Sequence, residues 1–361
     1  MATQQALIIP SPKAPFTLVS DQPIPVPGPG EVRLKVLSVG LNPMDWGRRE
    51  YNMLMGAYPS VIGSDIAGVV EEVGEGVQEF AEGDEVFVGS MEGGFQQYCV
   101  VPAATVIRKP KNITFDQAAS FPITCPTAAV GLFAQGPIGL ALNPSFSWDK
   151  PQQGQSGLVI GAGTSTGQFD APAAVQFLKF LGFTRIVAYA SKAHFSYLKE
   201  LGATECIDRG DVPLEALSAA VSSKVNVAYD ATPVGALDAA YDSVLDGGKV
   251  TTVRPQAVLS GDRDPQKRGI TVVNCFGFYA GPEIVKPLGD PAHWAATVEH
   301  TKFGKHFIRE LPKAIEKGAI VPNRVEILQK GLAGIPDALE RMKTGSVSGV
   351  KLVAHPQDSI A

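Results

Sequence analysis

The residues with the plainest chemical purpose are the glycines and hydroxyls of Gly161-Ala162-Gly163-Thr164-Ser165-Thr166-Gly167, which follow the apolar run LVI and precede the apolar segment AAVQFLKFLG. Glycines let a backbone turn sharply and approach a diphosphate, while the helix that follows offers free N–H groups and a partial positive charge. Thr164, Ser165 and Thr166 add hydroxyl donors. Set between a strand and a helix, this is the arrangement that holds a dinucleotide; a structural turn that binds nothing is the alternative the motif leaves open. The segment QFDAPA intervenes between Gly167 and the apolar helix. Pro172 is tolerated only in a first helical turn, so the helix is expected to begin near Asp170 or Ala171, with Asp170 as a cap.

The next apolar strand ends at Tyr189-Ala190-Ser191-Lys192, where a site for NADH presents an acid to the ribose hydroxyls. No acid stands there. Ser191 and Lys192 suit a 2′-phosphate through a hydroxyl hydrogen bond and a charge, and His194 and Arg209 are further candidates. NADPH is therefore the expected cofactor; a solvated Ser-Lys pair is the alternative.

Elements that could position these residues are legible around them. After about residue 122 the chain alternates strand, loop and helix: LVIGAG with AAVQFLKFLG, RIVAYAS with FSYLKELGA, VNVAYDAT with ALDAAYDSVLDGG, then KVTTV and ITVVNCFGFY. Right-handed crossovers make this a doubly wound parallel sheet. The first hundred residues instead carry short β-like runs, VRLKVLSVGL, IAGVVEEVG, DEVFVGS and FQQYCVVP, between Gly- and Pro-rich turns. From about Pro282 a helical stretch, WAATVEHTKFGKHFIRELPKAIEKG, leads to VEIL, ALERMK and GVKLVAH, which read as a return to the first unit. A chain of 361 residues exceeds one ordinary core and suits two domains.

Bulk composition closes off other functions. The net charge of -5 supplies no field for nucleic acid. No apolar run approaches a membrane span, and the first residues lack a secretory pattern, so the cytoplasm is the expected location. Cys99, Cys125, Cys206 and Cys275 form no CxxC pair and read as inert thiols.

Three segments together resemble one family. SVGLNPMDWGRREY, VIGSDIAGVVEEVGEGVQEFAEGDEVFV and GLVIGAGTSTGQF look like the medium-chain dehydrogenase/reductases, in the zinc-free quinone oxidoreductase and enoyl reductase branch. The run GxDxxGxVxxVGxxVxxFxxGDxV from Gly63 to Val86 is its most specific part. Features of FLGFTRIVAYAS and GAGTSTGQF also resemble fungal trans-acting enoyl reductases that work beside polyketide synthases. The resemblance implies an α/β protein: a GroES-like β-rich catalytic domain, residues 1–122 plus 285–361, with an inserted Rossmann doubly wound parallel-sheet domain, residues 123–284. Zinc-dependent members carry a Cys and a His where this chain has Asn42-Pro43 and Ser64, neither a competent ligand in that role. Asp45, Asp65 and Glu71 are then expected to be structural hydrogen-bonders. Asn42, Asp45 and Trp46 should lie by the cofactor, and Thr127 should face its nicotinamide or ribose. Gly47-Arg48-Arg49 departs from related reductases, in which a Lys often follows the Asp-Trp pair.

A site with NADPH and no metal suits hydride delivery to an electron-poor carbon: a conjugated C=C bond or a quinone. Phe276, Phe278 and Tyr279 are expected to line the substrate pocket, and Tyr51 and Tyr279 are the tyrosines that could donate a proton. His293, His300 and His306 lack metal-ligand spacing. The expected partners are a small unsaturated carbonyl, enoyl or quinone substrate and, by the resemblance, an acyl-carrier or polyketide synthase partner, with the chain a monomer or homodimer. The other function class is an NADPH-binding protein with a structural or partner-dependent role and little turnover; a zinc alcohol dehydrogenase is least favoured.

Overall fold

The structure, a computed structural model, describes residues 2–91, 93–162, 170–232, 235–254, 256–275 and 298–358. Near the N-terminus β1 (Thr3–Ile8) and β2 (Thr17–Pro23) pair antiparallel as a separate two-stranded sheet. The apolar pattern does not announce β2, because most of its residues are exposed and backbone pairing alone defines it.

The strand that organises the first unit is β3 (Glu31–Gly40). Val32, Leu34 and Val36 are buried and alternate with Arg33 and Lys35, the period of a strand with one face on a core. Beyond it come β4 (Asp65–Val73), β5 (Glu85–Gly89), β6 (Tyr98–Pro102) and β7 (Ile107–Arg108). The parallel unit then contributes β8 (Ser156–Ile160), β9 (Arg185–Ala190), β10 (Glu205–Asp208), β11 (Val225–Asp230), β12 (Val244–Thr252) and β13 (Thr271–Asn274). Finally β14 (Val325–Ile327) and β15 (Lys351–Ala354) rejoin the first sheet, whose order is β14-β15-β3-β4-β5-β7, with β6 paired to β3.

The order β10-β9-β8-β11-β12-β13, parallel throughout, is the doubly wound arrangement that the alternation of strands and helices anticipates. Its order reverses between β8 and β11, which opens a crevice at their carboxyl ends. Leu158, Ile160, Val187, Val225 and Val250 face one core, while Val159, Ala188, Val227 and Tyr229 face another. That second core is capped by the helices Thr124–Phe133, Asp170–Phe180 and Val298–Glu316. Their aromatic rings interlock, with Phe133 lying 5.2 Å from Phe146 and 5.0 Å from Phe177 between centroids. On the first sheet, Ile335, Ala338, Leu339 and Met342 of the helix Ile335–Lys343 form the helical stripe that covers its core. Among the described residues no helix is long and apolar enough to cross a membrane.

The end of β3 is the tightest approach. A Cβ on Gly40 would stand 2.2 Å from the Ala119 carbonyl oxygen and 2.9 Å from Lys351 Cε. Gly40→Ala should therefore destabilise the protein by about 1–3 kcal/mol in urea titrations, the usual cost of overpacking. Gly47→Ala, whose added atom meets nothing closer than 4.0 Å, should be neutral or slightly stabilising. Equal effects from the two would show that backbone entropy, and not crowding, controls Gly40.

Candidate active site

Asn42 ends the β3 segment and caps the helix Pro43–Tyr51, where Pro43 supplies a preset first-turn φ. The Asn42 N–H donates to Asp45 Oδ2 at 2.7 Å, which ties the cap to the first helical turn. Its side-chain amide has an unambiguous orientation. Lys351 Nζ, which can only donate, meets Asn42 Oδ1 at 2.6 Å, and Asp65 Oδ2, which only accepts when ionised, receives Asn42 Nδ2 at 2.9 Å. Lys351 and Asp65 themselves lie 2.6 Å apart with both side chains fully buried. Three strands thus deliver one member each to a closed triangle: β3 leads into Asn42, β4 opens on Asp65, and β15 opens on Lys351.

Burial raises the Asp65 pKa, against the pull of Lys351, Asn42 and the Ile123 N–H. Asp45 is pushed up to about 7 by burial, in spite of the Asn42 N–H and the charges of Arg48 and Lys351. Its Oδ1 and the Ser64 Oγ are buried without hydrogen-bond partners among the described residues. Arg48, also buried, donates to the carbonyls of Met91 and, at 2.8 Å, Leu54, so it pins the loop after its helix. Trp46 packs against the β-rich core, and the exposed Tyr51 meets it edge-on at 6.0 Å. Thr127 turns its Oγ1 back onto Ile123 O at 2.7 Å.

These residues do not suit zinc. A structural or catalytic zinc takes thiolates, imidazoles or free carboxylates, whereas here an amide, a hydroxyl and an ion-paired carboxylate stand together. Among the described residues no three His, Cys, Asp or Glu side chains gather as a metal site. The cysteines are unpaired, and Cys99, Cys125 and Cys275 are buried, with thiol pKa values raised by burial.

A dinucleotide fits better. Gly161 leaves β8 at the crevice with φ +86°, a conformation that glycine adopts without strain. Across the crevice Asp230 organises the loop after β11: its carboxylate accepts from Thr232 N (2.9 Å), Thr232 Oγ1 (2.7 Å), Ala236 N (3.1 Å) and Thr252 Oγ1 (2.9 Å). At the tip of β9 lie Ser191 and Lys192, then His194, whose Nε2 meets Ser348 Oγ at 3.0 Å. Arg209 is fastened beside them by its N–H to Ala190 O at 3.0 Å. Burial, then the charges of Arg324 and Arg209, lower the His194 pKa, so two of the cations act on this imidazole. Gly163, Thr164, Ser165, Thr166, Gly167, Phe276, Phe278, Tyr279 and His293 lie outside the described residues.

Three features escaped sequence reasoning. Lys351 had one signal, a lone cation inside the apolar run GVKLVAH. Arg324 had none, since its neighbours come from β9 and the segment after it. Asp170, expected as a cap, is the first described residue of its helix, and its Oδ2 accepts from Tyr229 Oη at 2.9 Å. Burial raises its pKa to about 6, opposed by the Tyr229 hydrogen bond.

Two expectations follow from these buried charges. Lys351→Met strands the Asp65 carboxylate and should cost about 3–5 kcal/mol in equilibrium unfolding, whereas Lys351→Met combined with Asp65→Leu should recover much of the loss; an undiminished loss in the double variant would deny the pairing. An unfolded Asp releases its proton near about pH 4, while folded Asp170 holds it up to about 6. The stability it confers is complete in acid and lost as pH climbs between those values. Asp170→Asn should raise the thermal midpoint at pH 8 and not at pH 4; equal gains at both would remove the charge argument.

Comparison with known proteins places this geometry. Residues 28–111 match the family model "Alcohol dehydrogenase GroES-like domain" and residues 172–304 the model "Zinc-binding dehydrogenase". The chain is 33% identical over 364 residues to the trans-enoyl reductase tndF of Aspergillus flavipes, covering 97% of this chain and 98% of that protein. It is 30% identical over 375 residues to the dehydrogenase pigH of Monascus ruber, with 98% and 99% covered. Among solved structures, an alcohol dehydrogenase superfamily protein from Novosphingobium aromaticivorans superposes with TM-score 0.75 at 24% identity, covering 97% of this chain and 99% of that one. A mycobacterial quinone oxidoreductase does so with TM-score 0.73 at 23% identity, covering 98% and 100%. The two-sheet architecture, the crevice at the β8/β11 reversal and full-length similarity to fungal relatives agree: this chain belongs to the medium-chain dehydrogenase/reductase family, on its enoyl reductase branch.

Proposed function

We propose that the protein is an NADPH-dependent reductase that works without a metal ion and transfers hydride to an activated C=C bond or a quinone. The Asn42–Asp65–Lys351 triangle carries this reading. Asn42 stands where the resemblance puts a zinc ligand and is held by Asp65 and Lys351, and among the described residues no thiolate or imidazole joins them to bind a metal and polarise an alcohol. The missing acid after β9 and the cations there favour the phosphorylated cofactor.

The bound nicotinamide would supply the hydride. The chain's own task is to orient the acceptor and donate hydrogen bonds to the oxygen on which charge develops. The Asn42 amide has two N–H groups and gives one to Asp65, so the second is the donor this reading assigns to that oxygen. The reading also includes a catalytic unit of residues 1–122 and 285–361 around a cofactor unit of residues 123–284, and a cytoplasmic location. Its acceptor is a small enone, enal or quinone, or an enoyl thioester presented by an acyl-carrier partner, a choice the trans-enoyl reductase relatives support.

One observation favours a second reading, an NADPH-binding protein with little turnover of its own. Asp170 puts a buried carboxyl in the first described turn of the helix whose N-terminus would face the diphosphate; that end of a helix suits one anion, and an ionised Asp170 would compete with and repel the diphosphate there.

Loss of NADPH absorbance, with NADH in parallel and a chelator present, should be measured against enones, enals, quinones and enoyl thioesters. The proposal expects chelator-resistant turnover that prefers NADPH. Zinc bound in stoichiometric amount and required for activity would overturn it, and tight NADPH binding without turnover on any acceptor would transfer support to the second reading.

A further inference from the structure

Arg324 lies on the stretch between the helix Val298–Glu316 and β14, so in the chain it belongs to the segment that completes the seven-stranded sheet. In space it belongs to the tip of β9. Its guanidinium stacks on the Tyr197 ring at 4.2 Å, and Tyr197 sits on the helix Phe195–Leu201 just after Ser191, Lys192 and His194. A Cβ built on Gly349 would stand 2.8 Å from Arg324 Nη2 and 2.6 Å from His194 Cε1, so the guanidinium and the imidazole converge over the same glycine. Ser348 completes the contact by meeting His194 Nε2 at 3.0 Å. The return segment and the β9 tip are thus locked together at this point.

What gathers there is exposed positive charge: Lys192, Arg209 and Arg324 are held in no ion pair among the described residues. Carboxylates share the region without pairing to these cations: Asp208 Oδ1 accepts from the Gly210 N–H at 2.9 Å, Glu200 Oε1 lies 3.5 Å from Ser196 Oγ, and Glu215 acts with Arg209 on Tyr189. Stacking fixes the Arg324 fork and reduces the entropy lost when it grips an anion. A planar guanidinium held over Tyr197 and His194, with Arg209 also acting on that imidazole, is suited to a phosphate with two negative charges.

We propose that Arg324 closes the 2′-phosphate subsite from the side opposite Lys192 and Arg209, so that preference for the phosphorylated dinucleotide is set jointly by the nucleotide sheet and the returning segment. This rests on the NADPH reading above and adds a residue outside the β9 strand and its loop. In this arrangement the phosphate bridges two parts of the chain that are otherwise joined here by His194, Ser348 and the Arg324–Tyr197 stack. A cofactor without the phosphate would bind the nucleotide sheet and leave that bridge unmade.

Dissociation constants for NADP+ and NAD+ should be measured by calorimetry on the full chain and on Arg324→Gln, Arg324→Lys and Arg209→Gln. The wild-type protein is expected to favour NADP+ by tenfold or more, Arg324→Gln to lose roughly tenfold of that ratio, and Arg324→Lys to restore part of it. Affinity for NAD+ should be unchanged in all three, which certifies an intact fold. A wild-type ratio near one would sink the NADPH reading and this inference together. A wild-type preference that survives in Arg324→Gln but collapses in Arg209→Gln would sink this inference alone, as would a loss of NAD+ binding equal to the loss of NADP+ binding in Arg324→Gln, since that is the mark of a packing role.

Discussion

The buried ion pair between Lys351 and Asp65 constrains everything around it. Removing two charges from water costs several kcal/mol per ion, and only close geometry with further hydrogen bonds offsets it. Here the separation is 2.6 Å, and Asn42 satisfies one atom of each partner. Three strands must converge for this to happen, and β3 can come close enough only because Gly40 has no side chain to strike the Ala119 carbonyl or the Lys351 stem. The same triangle fixes the rotamer and flip of Asn42, and with it the helix that carries Asp45, Trp46 and Arg48.

Behind the site, an aromatic core holds the two sheets in relation to one another. Phe133, Phe146, Phe177, Phe180, Phe303 and Phe307 pack in one cluster of edge-to-face, tilted and stacked pairs. It includes residues from the helix before β8, the helix after the glycine loop, and the long helix that precedes the return to the first sheet. Trp148 joins its rim, stacking edge-on with Phe180 and donating to Glu310 Oε2 at 3.2 Å. Rings of this size bury much apolar surface with little rotamer freedom to lose, which makes them good rigid supports. The crevice at the β8/β11 reversal therefore has a stiff floor, and Asp230 holds Thr232, Ala236 and Thr252 by hydrogen bonds on one of its walls.

Function in this fold depends on what sits at the ends of the strands. In the first sheet stand the Asn42 triangle and Asp45, whose burial pushes its carboxyl pKa up to about 7. Past the end of β9 stand Lys192, Arg209 and Arg324, exposed and in no ion pair among the described residues. The contrast is electrostatic: the interior has charges matched one to one, and the exposed cations leave positive charge over for a ligand. Asp170 is the exception, a buried carboxyl on the helix that follows the glycine loop, made tolerable by Tyr229 and by holding its proton to about 6.

Much of this was legible in the amino-acid order. Strands β3 to β6 and the alternating units from β8 onward follow from periodicity, since a strand or helix with one buried face must repeat its apolar residues at 2 or 3.6. The glycine loop and the missing acid after β9 are local facts of the sequence, while Asn42 and Ser64 at the zinc positions are what the resemblance to the family implies. β2 was not legible, because its residues are mostly exposed and its pairing uses only backbone atoms. Lys351 on Asp65, Tyr229 on Asp170 and Arg324 over Gly349 were decided by tertiary structure. Each joins residues that are dozens to hundreds of positions apart, and charge pairing acts through space, so no local pattern records which distant cation a given carboxylate will meet.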